Sequence, residues 1–238
     1  MSFYSQFKAS KFLKGRYIVA LLLFVAVSSV FAALADEIGE GETLPLDRYV
    51  LTAINENLSS PILDQVALVG TNAAGVPVVI GLTILGVIML VIRKSYSKAL
   101  FLGLVMAGTG AANTVLKLFF ERQRPDLWQH LVNEDTFSFP SGHAMGSMAI
   151  GLTVVLLAWR TKWRIPITIG AVLYVLFIGF SRLYLGVHYP TDVLAGWLLA
   201  AGWVSTLYMV LQINKHETSS NTTASPVKKV GVGASRPN

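Results

Sequence analysis

Three groups of polar residues stand at the ends of long apolar runs, where polar residues are costly. Lys117 is followed by Arg124-Pro125, Pro140-Ser141-Gly142-His143 opens a second run, and Ser181-Arg182 closes a third, with His188 and Asp192 next along the chain. Lys117, Arg124 and Arg182 are cations that repel one another unless an anion sits among them. Arginine offers a planar fork that matches phosphate oxygens. Pro140-Ser141-Gly142 reads as a helix start, with Ser141 as the cap and Gly142 allowing close backbone approach. Its free N–H groups and the positive helix end would add to an oxyanion site, with His143 in the first turn. Two histidines and a carboxylate around an anion suggest nucleophilic phosphoryl transfer. His188 has Asp192 four residues on to fix its tautomer and is the better nucleophile. His143 is left as the acid that protonates a leaving alkoxide, a contribution of roughly 10²–10⁴-fold. The cations would stabilise the equatorial oxygens in place of a metal.

Taken singly, each of these residues has an ordinary reading. Lys and Arg at helix ends often snorkel to lipid headgroups, and Ser-Gly after Pro is often a turn. His188 and Asp192, spaced i and i+4, could ligate a metal. Three neighbouring cations oppose a metal ion, so no metal is expected there. The collective pattern outweighs the single readings, because an ionisable residue near membrane depth costs about 2.5–3.5 kcal/mol or more and usually marks function.

The elements that must position these groups are membrane helices. Of 238 residues, 53% are hydrophobic and 13% charged, against roughly a quarter charged in an ordinary soluble domain. Apolar runs cover Tyr17–Ala35, Gln65–Ile92, Ala99–Leu116, Thr136–Trp159, Ile165–Ser181 and Val193–Asn214. A span needs about 20 mostly apolar residues. Six such runs leave too little polar surface for a soluble protein, so the predicted fold is an all-α, six-helix integral membrane bundle. Leu46, Val50, Leu51 and Ile54 have near-helical spacing within Asp36–Ser60, which predicts a short amphipathic interfacial helix between the first two spans. The expected organisation is one membrane domain over 1–214 and a disordered cytoplasmic tail over 215–238. Cysteine is absent, which excludes disulfides, thiolate zinc sites and cysteine nucleophiles. The net charge of +6 is not gathered into one patch, so nucleic acid is not an expected partner. The first run has a basic start and Ala33-Leu34-Ala35 before Asp36, as a cleaved signal peptide would. Its span-like length favours an uncleaved anchor.

Lys117-x6-Arg124-Pro125, Pro140-Ser141-Gly142-His143 and Ser181-Arg182-x5-His188-x3-Asp192 together resemble the three-part signature of the type-2 phosphatidic acid phosphatase superfamily. All eleven specified positions are present in order. The six-span layout resembles that family's membrane branch from Tyr17 to about Asn214. The resemblance implies a cofactor-free, metal-independent lipid phosphatase with a phosphohistidine intermediate. It implies phosphate binding by Lys117, Arg124 and Arg182 with support from Ser141 and Gly142, and His143 as acid, His188 as nucleophile and Asp192 as its partner. Expected substrates are membrane lipid phosphates or diphosphates: phosphatidic acid, phosphatidylglycerol phosphate or undecaprenyl diphosphate. The same superfamily contains vanadate-dependent haloperoxidases, which are soluble and so fit the six spans poorly. A non-catalytic anion or lipid carrier would need the cations but not two histidines. Within Glu121–Phe139, Trp128, His130, Glu134 and Asp135 are candidates for shaping the entrance.

Charge sets the orientation. Fourteen of the 19 basic residues fall in the N-terminal segment, the second-to-third and fourth-to-fifth connections, and the tail, with Glu217 as the only acid on that side. The positive-inside rule then places both termini in the cytoplasm and the polar groups at the outer face of the cell membrane. Single cysteines introduced at Asp126 and Lys162 should report this with a membrane-impermeant thiol reagent. Labelling of intact cells is expected at 126 and not at 162; the reverse pattern overturns the orientation.

Overall fold

A computed structural model of the chain describes residues 45–211 continuously, together with a scatter of positions between 18 and 36 that are all helical. The expected tail over 215–238 and about half of the first span lie outside the described residues. Over 45–211 the chain forms seven helices: α1 Pro45–Leu58, α2 Pro61–Ala73, α3 Val76–Ile92, α4 Tyr96–Phe120, α5 Gly142–Ala158, α6 Arg164–Tyr184 and α7 Pro190–Leu211. By length and composition α4, α6 and α7 can each cross a membrane. The chain is all-helical and membrane-embedded, as its composition requires.

Two predicted runs differ from what folds. Gln65–Ile92 is not one straight span but parts of α2 and α3, bent by 44° at the break. Pro77 lies in the first turn of α3, where its missing N–H is harmless but would interrupt a continuous helix. Gly75 caps α3 in an extended conformation. Thr136–Trp159 is helical only from Gly142 to Ala158. Phe137 and Phe139 make the segment before it look like membrane helix, yet Phe139 is fully buried, stacked on Phe31 and edge-on to Phe120. Ser141 then caps α5, its hydroxyl accepting the Ala144 N–H at 3.4 Å. The 17 residues of α5 rise only about 26 Å, short of a ~30 Å hydrocarbon core.

Helix α5 is the hub, packed against α4, α6 and α7. Its buried positions are mostly small (Ala144, Gly146, Ser147, Ala149 and Gly151 among them). Small residues let membrane helices approach closely. Around it Phe101, Val105, Met145, Ala149, Ala200 and Val204 form the largest core cluster. The outward faces are apolar instead, with Ile84, Leu100, Leu173 and Leu176 exposed, and α3 has no buried residue at all. That pattern belongs in lipid, where an apolar outer face meets an equally apolar solvent. The expected amphipathic helix is α1. Leu51 is its buried apolar residue and Val50 and Ile54 are half-buried, while Leu46 points outward and Asp47 takes the inward place instead.

Gly196 of α7 makes one such close approach. A Cβ there would lie 2.9 Å from the Ser141 carbonyl oxygen and 3.2 Å from Met145 Cγ, and a backbone atom cannot move aside as a flexible side chain can. Gly196→Ala should destabilise the protein by about 1–3 kcal/mol, read as a lower unfolding temperature in detergent. Gly170→Ala, where nothing lies within 4 Å, should not lower it. Equal behaviour of the two variants would contradict this packing.

Candidate active site

Each residue singled out from the sequence sits at or just beyond a helix end. Lys117 is in the last turn of α4, Arg182 in the last turn of α6, His143 in the first turn of α5 and Asp192 in the first turn of α7. Arg124 lies on the connection from α4 to α5, and His188 on the short turn from α6 to α7. That turn depends on Gly186, whose φ of 70° suits glycine and whose face is covered by the Trp128 ring. Trp128 therefore holds the His188 turn in place instead of lining the entrance.

The turn brings His188 to the centre. Its Nε2 lies 3.2 Å from Arg124 Nη1, and its Nδ1 lies 3.4 Å from Asp192 Oδ2. A guanidinium can only donate, so Nε2 must hold the lone pair and Nδ1 the proton. Asp192 Oδ2 also accepts the Tyr189 N–H at 2.8 Å and the Ser138 hydroxyl. His188 is almost wholly buried. Burial, then Arg182, Arg124 and Lys117, hold its imidazole well below the ordinary histidine range, so it stays neutral near pH 7.

Arg124 and Arg182 meet at Glu134, and Lys117 shares Thr136 and Phe137 with Arg124, but only Lys117 of the three lines the neighbouring cavity. Arg182 is 1% exposed and donates to Thr71 and to Glu134. Glu134 also accepts from Arg124 at 3.3 Å, so one carboxylate bridges two of the three cations. Burial raises the Glu134 pKa, but Arg182 and Arg124 outweigh it and hold the carboxyl below its usual range. Lys117 donates to Thr136 Oγ1 at 2.9 Å and to the Phe137 carbonyl. Arg124 further donates to the carbonyls of Thr136 at 2.8 Å and Val187 at 2.7 Å.

Lys117, Glu134, Gly142, His143 and His188 line one cavity of about 760 Å³. Ser141 does not line it: its hydroxyl is buried in the helix cap, and its N–H reaches the Asp192 carbonyl at 3.1 Å, joining the starts of α5 and α7. The Ser181 hydroxyl bonds back to Ile178 O within its own helix at 2.8 Å. Among the described residues no group of three His, Asp or Glu side chains is placed to hold a metal ion.

Several participants were not singled out from the sequence. Arg122 lies between Lys117 and Arg124 and donates to Asp192 Oδ1, and at 3.0 Å to Asp47 Oδ2. Ser138 holds the other oxygen of Asp192. Asn113, a turn before Lys117, donates to the Pro140 carbonyl at 3.0 Å and so supports the start of α5. Asn113 and Ser138 lie in predicted spans, where a polar residue is itself a signal. Nothing in the spacing of Arg122 marks it.

Comparison with known proteins agrees with this arrangement. Phosphatidylglycerophosphatase B of Bacillus subtilis is 38% identical over 123 residues, which are 50% of this chain and 60% of that protein. An undecaprenyl-diphosphatase of Sulfolobus acidocaldarius is 36% identical over 94 residues, 40% of this chain and 38% of that one. The matches thus span less than two thirds of these relatives' own length. The crystal structure of a transmembrane PAP2-type phosphatidylglycerolphosphate phosphatase from Bacillus subtilis superimposes with a TM-score of 0.68 at 28% identity, covering 85% of this chain and 97% of that one. The sequence model of the PAP2 superfamily matches residues 98–216, a stretch that holds every residue of the three motifs, and the chain belongs to that superfamily.

Proposed function

We propose that this chain removes phosphate from a membrane lipid, without a metal, through a phosphohistidine on His188. The observation that carries the reading is the shape of the cavity. From Lys117, His143 and His188 it runs between α3 and α4 past Val79, Ile80, Ile84, Ala107 and Gly103, all apolar. From Lys117 to Gly103 the helix rises about 21 Å, the scale of a lipid tail. The charged end suits a phosphate and the apolar slot suits a chain, and α3 has lipid-exposed apolar residues along its length. A soluble phosphate ester would have no use for such a slot. The lipid phosphate and diphosphate substrates named for the relatives both fit this description.

In the mechanism that fits the geometry, the incoming phosphate replaces the Glu134 carboxylate between Arg182 and Arg124. The Nε–H of Arg182, without a partner among the described residues, is a further donor for it. The His188 Nε2 lone pair attacks phosphorus, forming the N–P bond as the P–O bond to the lipid breaks. Asp192 stabilises the developing imidazolium through Nδ1–H, and the three cations balance charge on the equatorial oxygens. His143, facing the same cavity, gives its proton to the lipid alkoxide. It then takes one from the water that hydrolyses the phosphohistidine, releasing phosphate. The cytoplasmic termini and outward-facing site read from the charge pattern belong to the same proposal.

Detergent-purified protein should release phosphate from a panel of lipid mono- and diphosphates in the presence of EDTA. His143→Ala should be nearly inactive on lipids, whose alkoxide needs a proton, losing about 10²–10⁴-fold. It should recover much of its rate on p-nitrophenyl phosphate, whose leaving group departs without one. No release from any lipid, or equal losses on both substrate types, would contradict the proposal.

A further inference from the structure

The two carboxylate oxygens of Asp192 face different partners. Oδ2 takes the Tyr189 N–H, the Ser138 hydroxyl and the His188 side, while Oδ1 takes Arg122. The same guanidinium donates to Thr191 Oγ1 at 2.9 Å and to Asp47 Oδ2 at 3.0 Å, and it lies 4.1 Å from the centre of the Tyr189 ring. Asp47 belongs to the interfacial helix α1. Its Oδ1 accepts the Thr191 N–H at 3.0 Å and its Oδ2 accepts the Thr191 hydroxyl at 2.6 Å. It thus caps the start of α7 one residue before Asp192. The side chains of Arg122, Asp47 and Asp192 are 8%, 1% and 0% exposed. Arg122 lines the cavity of Lys117, His143 and His188 no more than Arg124 and Arg182 do; it differs from those two in being held on Asp192 and Asp47, on the side of Asp192 away from His188.

We infer that Arg122 is a positioning residue for the His188–Asp192 pair, and that through Asp47 it makes the interfacial helix part of the device that sets the His188 tautomer. A carboxylate held on one side only can rotate about its Cβ–Cγ bond and trade its oxygens. With Oδ1 tied to Arg122, Oδ2 is kept toward Nδ1–H, and Nε2 keeps its lone pair on the phosphate side. Arg122 is itself aimed by Asp47 and Thr191, so α1 must be docked for the pair to be aligned. A lysine would do the same less well, because its ammonium carries three donors but lacks the rigid planar fork that fixes both carboxylates at once.

The consequence for rate rests on the phosphatase reading; the consequence for the imidazole does not. Full-length protein labelled with ¹⁵N-histidine in detergent should show His188 protonated at Nδ1, and Arg122→Gln should turn this into a mixture of tautomers. The same variant should lose about 100-fold in kcat on p-nitrophenyl phosphate, as a misaligned group does, with vanadate affinity within about threefold of wild type. Asp47→Asn should move both readouts in the same direction by less, and Arg122→Lys should restore part of the loss. Phe101→Ala, which opens the core around α5 without removing a charge or an α1 contact of that cluster, should lower thermal stability and leave the tautomer unchanged. An unchanged tautomer in Arg122→Gln, or a loss of vanadate affinity as large as the loss of kcat, overturns the inference. If the wild type releases no phosphate, the functional reading fails while the tautomer still decides this one.

Discussion

A carboxylate sealed from water must have all its charge answered by the protein, and in this molecule that carboxylate is Asp192. Its side chain is wholly buried and accepts from Arg122, Ser138 and the Tyr189 N–H, with His188 beside it. Leaving such a charge without its partners costs about 3–5 kcal/mol. The end of the bundle that carries Asp192 is arranged to prevent that. The connection from α4 to α5 doubles back so that Ser138 N–H bonds to the Arg122 carbonyl at 2.8 Å, placing both donors at the same carboxylate. The start of α5 ties to the Asp192 backbone, and α1 comes in from the side to hold Arg122.

The same economy appears in the cations. Lys117, Arg124 and Arg182 are close together, and each finds a carbonyl, a hydroxyl or Glu134 to answer it. Glu134 already makes the contacts a phosphate oxygen would make, which is why the seat is suited to an anion. Below the seat the chemistry changes abruptly to apolar side chains, because the 44° bend between α2 and α3 lies beside a slot that α4 lines with Gly103, Ala107 and Gly110. Gly103 and Gly110 have nothing within 4 Å of where a Cβ would be, so the slot is open there. One cavity thus joins a charged end to an apolar one, as an amphiphile requires.

Much of this was legible in the residues. Of the helix-end cations, the Pro-Ser-Gly helix start and the i, i+4 His–Asp pair, the fold brings Lys117, Gly142, His143 and His188 to one cavity, with Arg124, Arg182 and Asp192 bonded to residues that line it. The long apolar runs predict α4, α6 and α7 to within a few residues, and the spacing of Val50, Leu51 and Ile54 predicts α1. Where hydropathy misled, a single local fact was responsible. Pro77 breaks the helix inside a mostly apolar run, and Phe139 is apolar because it packs inside the bundle against Phe31, Phe120 and Ala195, not because it faces lipid. Asp47 and Arg122 carry no readable signal and Glu134 reads only as an entrance residue, since their meaning lies in contacts with residues 75, 70 and 48 positions away. A buried ion network is long-range by nature, and a periodicity reports only neighbours.

The account stands on Nε2 of His188 bonding to phosphorus. The direct measurement is to quench turnover of a ³²P-labelled lipid phosphate, isolate the labelled protein and map the modified residue by mass spectrometry. An acid-labile, base-stable phosphoryl group on His188, absent from His188→Ala, is the predicted result. A label that persists in His188→Ala and disappears in His143→Ala would contradict it.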